Sequence, residues 1–287
     1  MRAPELTMLR YALLLLALLS APVRAGEDDG IARREFRVCA DPNNPPFSSE
    51  QGSGFENKIA ELFASKLGLP LKYYFLPQRL NFVRNTLRYK LPAEDYRCDI
   101  MMGVPAGYEQ VLSTKPYFRS THVLAYLKGG ALDGVRSQED LFKLGPERLS
   151  KITIGVYDRS PASKWLANHD LFPRGRPFRL LNAQPEWYPG LLIENELAQG
   201  VIDAAVVWGP VAAYAATRVK NREVVLVPLP SETGVKFDFD IAMGVRHGEP
   251  KWKAVIESLI DGNAAEIEAI LRGFRIPLLD AQGRVKT

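Results

Sequence analysis

Residues 37–63 read RVCADPNNPPFSSEQGSGFENKIAELF. An apolar run rich in strand formers stops at Asp41-Pro42, crosses a loop of asparagines and prolines, and enters an amphipathic segment. Proline has no N–H to give a sheet ladder, so the strand ends there. In the continuation GFENKIAELFASKLG, Phe55, Ile59, Leu62, Phe63 and Leu67 fall on one face at helical spacing, and Gly68 is placed to cap the helix. In open α/β sheets ligands bind beyond the carboxyl ends of strands. The loop from Asp41 to Phe47 leaves such an end and is therefore predicted to line a cleft.

The same alternation continues outward. LKYYFLP and CDIMMGV read as strands with a helical pattern over NFVRNTLRYKL between them, where Phe82, Val83, Leu87 and Leu91 face inward. THVLAYLKG is a further strand and ends at Gly129-Gly130. After a polar connection the series restarts: KITIGVY, a helix opened by Ser160-Pro161, FRLLNA, a helix within WYPGLLIENELAQG, IDAAVVWG, GPVAAYAATRV and EVVLVPL. FDFDIAMGVRHG then leads into two helices, or one interrupted at Gly262. Two successive series of strands and helices predict an α/β protein of two lobes, each a mainly parallel sheet flanked by helices, joined by hinge crossovers. The expected boundaries are residues 1–25 as a signal peptide, 26–129 with 235–287 as the first lobe, and 130–234 as the second.

The N-terminus carries Arg2 and Arg10, the apolar run YALLLLALLS and the small residues ending at Ala25. That order is the pattern of a cleaved export signal, and the run is too short to span a bilayer. The expected location is the periplasm, with no membrane span in the mature chain. The formal charge of +4 falls by two on cleavage, since Arg2, Arg10 and Arg24 leave together with Glu5. Charges of both signs are scattered, which argues against nucleic acid as a partner. Two cysteines, Cys39 and Cys98, fit one disulfide in an exported protein if their strands are neighbours; two buried thiols are the other reading. The three histidines, His122, His169 and His247, lie in separate segments without metal-ligand spacing, and no nucleophile elbow or phosphate loop is present. Glu56 and Glu109 are the acids an enzyme could use, but carboxylates on helix surfaces are common. No enzyme activity, metal or cofactor is expected.

Several phrases carry a resemblance. RVCADPNNPPFS, GFENKIAEL, FVRNTL, CDIMMGVPAGYE, STKPYFRST, AVVWGP and FDFDIAMGVR resemble the J proteins of methanol-oxidation operons, the MoxJ/XoxJ type, within the type II periplasmic solute-binding proteins. The resemblance covers nearly all of the mature chain and is strongest in the first lobe. It implies a periplasmic accessory of a pyrroloquinoline-quinone (PQQ) alcohol or methanol dehydrogenase, calcium- or lanthanide-dependent, which binds that enzyme or assists its activation without carrying quinone chemistry itself. The alternative is the solute-binding component of an ABC transporter for a small organic compound.

Amino-acid-binding relatives hold their ligand with an arginine for the carboxylate and an aspartate for the ammonium, because a buried charge must be paired. Here Gln110 or a neighbour falls where the arginine is expected, and Trp208 where the aspartate is expected. The cleft candidates are Asp41, Asn43, Asn44, Phe47, Tyr108, Arg119, Trp208 and Asp240. Pro105, Ala106 and Gly107 offer close backbone approach. Each has a plainer reading. Phe47 and Tyr117 suit packing, and Asn43 and Asn44 suit turn capping. Asp41 could cap a helix or tie the hinge, and Arg119 could pair with a structural carboxylate. Arg79, Arg84 and Arg88 suit a solvated helix face or a partner site. Trp208, ending a strand beside Gly209-Pro210, is the residue least suited to an ordinary core.

Overall fold

The structure is a computed structural model that describes residues 33–78, 81–180, 184 and 186–286. The expected signal peptide and Arg79 lie outside the described residues. The first series comprises β1 (Phe36–Ala40), a ribbon of β2 (Asn43–Asn44) and β3 (Ser48–Ser49), helix α1 (Phe55–Leu67), β4 (Leu71–Phe75), α2 (Phe82–Asn85), β5 (Ile100–Pro105) and β6 (Leu112–Leu127). The second comprises α3 (Gln138–Lys143), α4 (Gly145–Leu149), β7 (Ile154–Tyr157), α5 (Pro161–Asn168), β8 (Gly175–Phe178), a π-helical turn at Leu192–Leu197, β9 (Ala204–Trp208), α6 (Gly209–Arg218) and β10 (Val224–Pro228). The chain returns through β11 (Asp238–Val245), α7 (Pro250–Gly262) and α8 (Ala264–Gly273).

The strands run in the order β4-β1-β5-β11-β6-β9-β7-β8, with β10 also on β6. Strand β1 is parallel to β4 and β5, and β7 is parallel to β8 and β9. Strand β6 joins the two groups. Its residues up to Thr121 pair antiparallel with β11, and from His122 onward it pairs with β9 and β10. The α/β organisation expected from the strand series is observed, with parallel strands in each sheet group and helices between them.

Each sheet group has its own apolar packing. Phe36, Phe55, Phe63, Ile100, Met243 and Trp252 form a core on one face of the first group, and Cys39, Phe82, Leu87, Cys98, Met101 and Val104 cover the other. In the second group Leu124, Ile154, Trp165 and Phe237 pack on one face, and Val123, Leu192, Ile193 and Val211 on the other. Cys39 and Cys98 are joined as a disulfide, with Cα atoms 5.3 Å apart. The parallel pairing of β1 with β5 brings Cys39 opposite Met101, three residues beyond Cys98.

Local details depart from the sequence pattern for identifiable reasons. Helix α2 is a single turn, because the Thr86 hydroxyl turns back onto the Phe82 carbonyl at 2.7 Å and the backbone leaves helical geometry at Thr86. Leu87 is buried as the pattern required. Strand β6 begins nine residues before the expected THVLAYLKG, passing through Pro116 where its register with β11 shifts. Proline is tolerated in a sheet at such irregularities. The two C-terminal helices break at Asn263.

Sequence pattern gave no hint of a buried ionic knot. The fully buried Asp99 carboxylate receives Arg33, Arg37 and Arg246, and Glu249 pairs with both Arg33 and Arg246. The Arg246 guanidinium lies 4.0 Å over the Tyr96 ring and that of Arg33 4.5 Å over Trp252. The knot staples the start of the described chain to β5 and to the turn before α7.

Candidate functional site

The loop after β1 folds back as a ribbon, with Asn43 opposite Ser49 and Asn44 opposite Ser48. Asp41 organises it. One carboxylate oxygen accepts the Asn43 N–H at 2.8 Å, an Asx turn, and the other accepts the N–H of Gln78. The Asp41 carbonyl accepts the Ser48 hydroxyl at 2.8 Å. Asp41 therefore ties the loop to the segment after β4. Asn44 donates its side-chain amide to the Gln78 side chain at 3.0 Å.

Beneath this loop is a cavity of about 190 Å³, walled by Asp41, Asn44, Phe47, Glu56, Gln78, Phe82, Met101, Met102 and Ile241 among others. Glu56 enters from the first turn of α1. Its partners along that strip of the helix are Ala60 and Ala64, both buried, so the helix lies close on the sheet there. Gly103 of β5 completes the fit, since a Cβ at that position would collide with Glu56 Oε1. Among the described residues the Glu56 carboxyl has no hydrogen-bond or ion-pair partner. Burial, reinforced by the nearby Asp41 charge, pushes its pKa up to about 8, so it holds its proton at neutral pH. The Tyr117 hydroxyl is buried without a hydrogen-bond partner among the described residues. Burial pushes the Tyr73 and Tyr117 hydroxyls up, with the Glu56 charge contributing to both and the Glu61 charge also at Tyr73.

Phe47 stands between the two sheet groups. Its ring centroid is 5.3 Å from that of Phe55, and its side chain packs against the first core and also against the cluster of Val123, Leu192 and Val211 in the second. Trp208, half-buried at the end of β9, lies opposite His122 in the register of β6 and β9. Its ring is 5.3 Å from His122 and 5.8 Å from Phe239. His122 Nδ1 is 2.9 Å from the Phe237 carbonyl oxygen, which requires that nitrogen to donate. Burial lowers the His122 pKa against the opposing effect of that bond, which keeps the ring neutral.

The sequence candidates thus separate into groups. Asp41, Asn44 and Phe47 share the cavity, while Asn43 is exposed on the ribbon above it. Trp208 joins an aromatic patch at the β6 crossover. Arg119 and Asp240 face each other across β6 and β11, and Arg119 is held mainly by Asp238 at 2.9 Å and by the Ala281 carbonyl at 3.2 Å. Tyr108 packs beside the disulfide cluster. Gln110 is exposed, and its carbonyl accepts the Arg88 guanidinium. The cavity also uses residues that the sequence reading passed over or set aside: Gln78, Met101 and Glu56. A signal for Glu56 was available in its spacing from Ala60 and Ala64 and in the glycine interrupting the strand MMGV, since a glycine inside a strand marks a close approach. Among the described residues no group of three or more histidines, cysteines and carboxylates could hold a metal ion, and no helix is long and apolar enough to cross a membrane.

No family model matches the sequence. Individual proteins do. The chain is 30% identical over 305 residues to Protein MoxJ of Methylorubrum extorquens, covering 96% of this chain and 95% of that one. The crystal structure of periplasmic binding protein XoxJ from Methylobacterium extorquens AM1 is 33% identical and superposes with a TM-score of 0.67 over 85% of this chain and 99% of that chain. The chain belongs to the MoxJ family. A MoxJ-family fold is also visible in the crystal structure of MxaJ from Methlophaga aminisulfidivorans MPT, where the TM-score is 0.69 over 85% of this chain and all of that one. At 22% identity that likeness concerns the fold alone. Membership in the MoxJ family gives this site its context: a binding-protein scaffold whose cavity carries two carboxyl groups.

Proposed function

We propose that the protein is a periplasmic accessory of a PQQ-dependent alcohol dehydrogenase of the methanol dehydrogenase type, which it binds or helps to activate. The observation that carries this reading is the near-full-length match to MoxJ and to XoxJ. In this reading residues 1–25 are removed on export near Ala25. Residues 26–129 with 235–287 form one lobe, residues 130–234 form the other, and β6 and β11 carry the crossovers. The partner-facing residues are those of the cleft: Asp41, Asn43, Asn44, Phe47, Tyr108 and Trp208, with the Arg119–Asp240 pair at the crossover.

The site chemistry supports an accessory over an amino-acid carrier. A free amino acid brings a carboxylate that needs a cationic anchor, because an unpaired buried charge is costly. Among the described residues that wall the cavity there is no lysine or arginine. Trp208 and Phe239 instead present aromatic surface next to neutral His122, a composition suited to protein contact.

The test is co-purification. The tagged protein is incubated with periplasmic extract of its own host grown on an alcohol, and retained proteins are identified by mass spectrometry beside a Trp208→Ala variant. Recovery of a quinoprotein dehydrogenase subunit is the expected result. Loss of that recovery in the variant puts the contact at the cleft, and unchanged recovery puts it on an outer face. Failure to retain the dehydrogenase from an extract that contains it overturns the reading in favour of a transport ligand.

A further inference from the structure

We propose that the free edge of β8 is a docking surface for an acidic protein face, with Arg174, Arg176 and Arg179 meeting carboxylates and Phe172 entering an apolar hollow beside them. The identity of that protein rests on the accessory reading above: it is the dehydrogenase, held here at a second place away from the cleft.

Strand β8 ends the sheet. It is bonded to β7 on one side, and no described strand lies on the other. The stretch Leu171–Leu180 reads LFPRGRPFRL, with three arginines and no acid in ten residues. Arg176 and Arg179 are exposed and Arg174 is half-buried. Among the described residues none of the three pairs with a carboxylate. Asp158, one step beyond the pairing of β7 with β8, instead accepts the Leu180 N–H at 2.8 Å. Phe172 is 64% exposed in the turn that leads into the strand, and Leu180 is exposed just past its end.

The plainer reading of charge on a sheet edge is protection against strand pairing. Pro177 serves that end, because it has no N–H to offer a neighbour. Protection does not account for the rest. It needs no aromatic ring in water, and it is served best by lysine, which stays hydrated and mobile. Here two guanidinium groups are already held: Arg174 donates to the Ser150 carbonyl, and Arg176 lies 5.4 Å over the Phe178 ring. Fixing a long side chain before contact lowers the entropy lost on binding. Arginine and phenylalanine are also enriched where proteins meet, whereas lysine is depleted there. The charge sets the sign of the partner, since a basic face would be repelled and an acidic one drawn in. Pro177 sets the mode: side chains meet a surface, and no strand is added. A lipid surface would use the same charge, but it requires no fixed guanidinium spacing and takes hold through a whole apolar face. Strands β7 and β9 separate β8 from the β6 crossover, so this contact belongs to the second sheet group and is separate from the cleft.

The test is biolayer interferometry of the whole protein against the quinoprotein dehydrogenase purified from its host, at about 20 mM and about 300 mM sodium chloride, beside vesicles of phosphatidylglycerol. Arg176→Glu/Arg179→Glu and Phe172→Ser are compared with Lys220→Glu/Arg222→Glu, which makes the same change of charge at exposed positions between α6 and β10. The parent should bind the dehydrogenase, with affinity falling about tenfold between the two salt concentrations. At low salt Arg176→Glu/Arg179→Glu should lose about tenfold or more and Phe172→Ser severalfold, while Lys220→Glu/Arg222→Glu keeps the parent affinity. An equal loss in Lys220→Glu/Arg222→Glu makes the effect one of net charge and overturns the proposal. Unchanged dehydrogenase binding in both edge variants overturns it and leaves the accessory reading standing. No binding by the parent overturns both. Vesicle binding that is lost in Arg176→Glu/Arg179→Glu, with dehydrogenase binding unchanged, assigns the edge to a membrane and overturns the proposal as well.

Discussion

At the scale of single residues, Glu56 differs from the other carboxylates in what folding does to its proton. Its pKa rises from the usual carboxylate range to about 8 when the chain folds, because burial and the Asp41 charge both disfavour the ionised form. Between these values the folded chain binds more protons than the unfolded one, so stability contributed below pH 4.5 is lost as pH climbs to 8. Glu56→Gln keeps the shape and cannot ionise. Its melting temperature should match the parent near pH 5 and exceed it increasingly up to pH 8, as thermal melts across that range will measure. A constant difference would mean that Glu56 is ionised throughout. The residue was within reach of the sequence but not singled out by it. A glutamate in the first turn of a helix is usually a solvated partner of the helix dipole, and only the alanines four and eight residues on show that this strip faces protein. Arg119 illustrates the opposite case: the sequence offered it a structural carboxylate as partner, but which carboxylate, across two strands far apart in the chain, could not be read from either segment.

At the scale of elements, strand and helix identity was legible wherever the hydrophobic period was clean. The loop after β1, helix α1 with its Gly68 cap in left-handed geometry at φ 65°, and strands β5, β7 and β9 follow from the periodic pattern. Helix α2 and the start of β6 did not, because a side-chain hydrogen bond from Thr86 and a register shift at Pro116 are tertiary decisions. The cysteine pair lies between these cases: its parity suggested a bridge, and the adjacency of β1 and β5 allowed it. That bridge spans 59 residues of sequence. Closing a loop of this length is worth about 4 kcal/mol in the chain-entropy account. The double variant Cys39→Ser/Cys98→Ser should lose stability of that order in urea unfolding. The sheet edge made by β4 should then show the earliest gain in amide exchange, since β4 is held to the sheet only through β1. The Asp99 knot should behave differently. Asp99→Ala leaves three guanidinium groups facing a buried gap, and a loss of about 3–5 kcal/mol is expected in the same assay.

At the scale of the whole molecule, two sheet groups share one long strand, and their relation depends on what fills the space between them. Phe47 is the apolar side chain of the opening loop that packs on both cores at once. It lies in the turn of the ribbon that Asp41 ties to Gln78, so its position is set by the first group while part of its contact lies in the second. An apolar contact of that kind favours approach of the two groups without any ligand between them, whereas closure of a transport protein draws on a ligand that touches both sides. Phe47→Ala tests which applies. Truncation should lower stability by about 2 kcal/mol, less than for a fully enclosed phenylalanine because the ring is only half-buried. It should also increase the radius of gyration in small-angle X-ray scattering, as the groups separate about β6. If the radius stays the same while stability falls, the β6 and β11 pairings alone set the angle and Phe47 only packs.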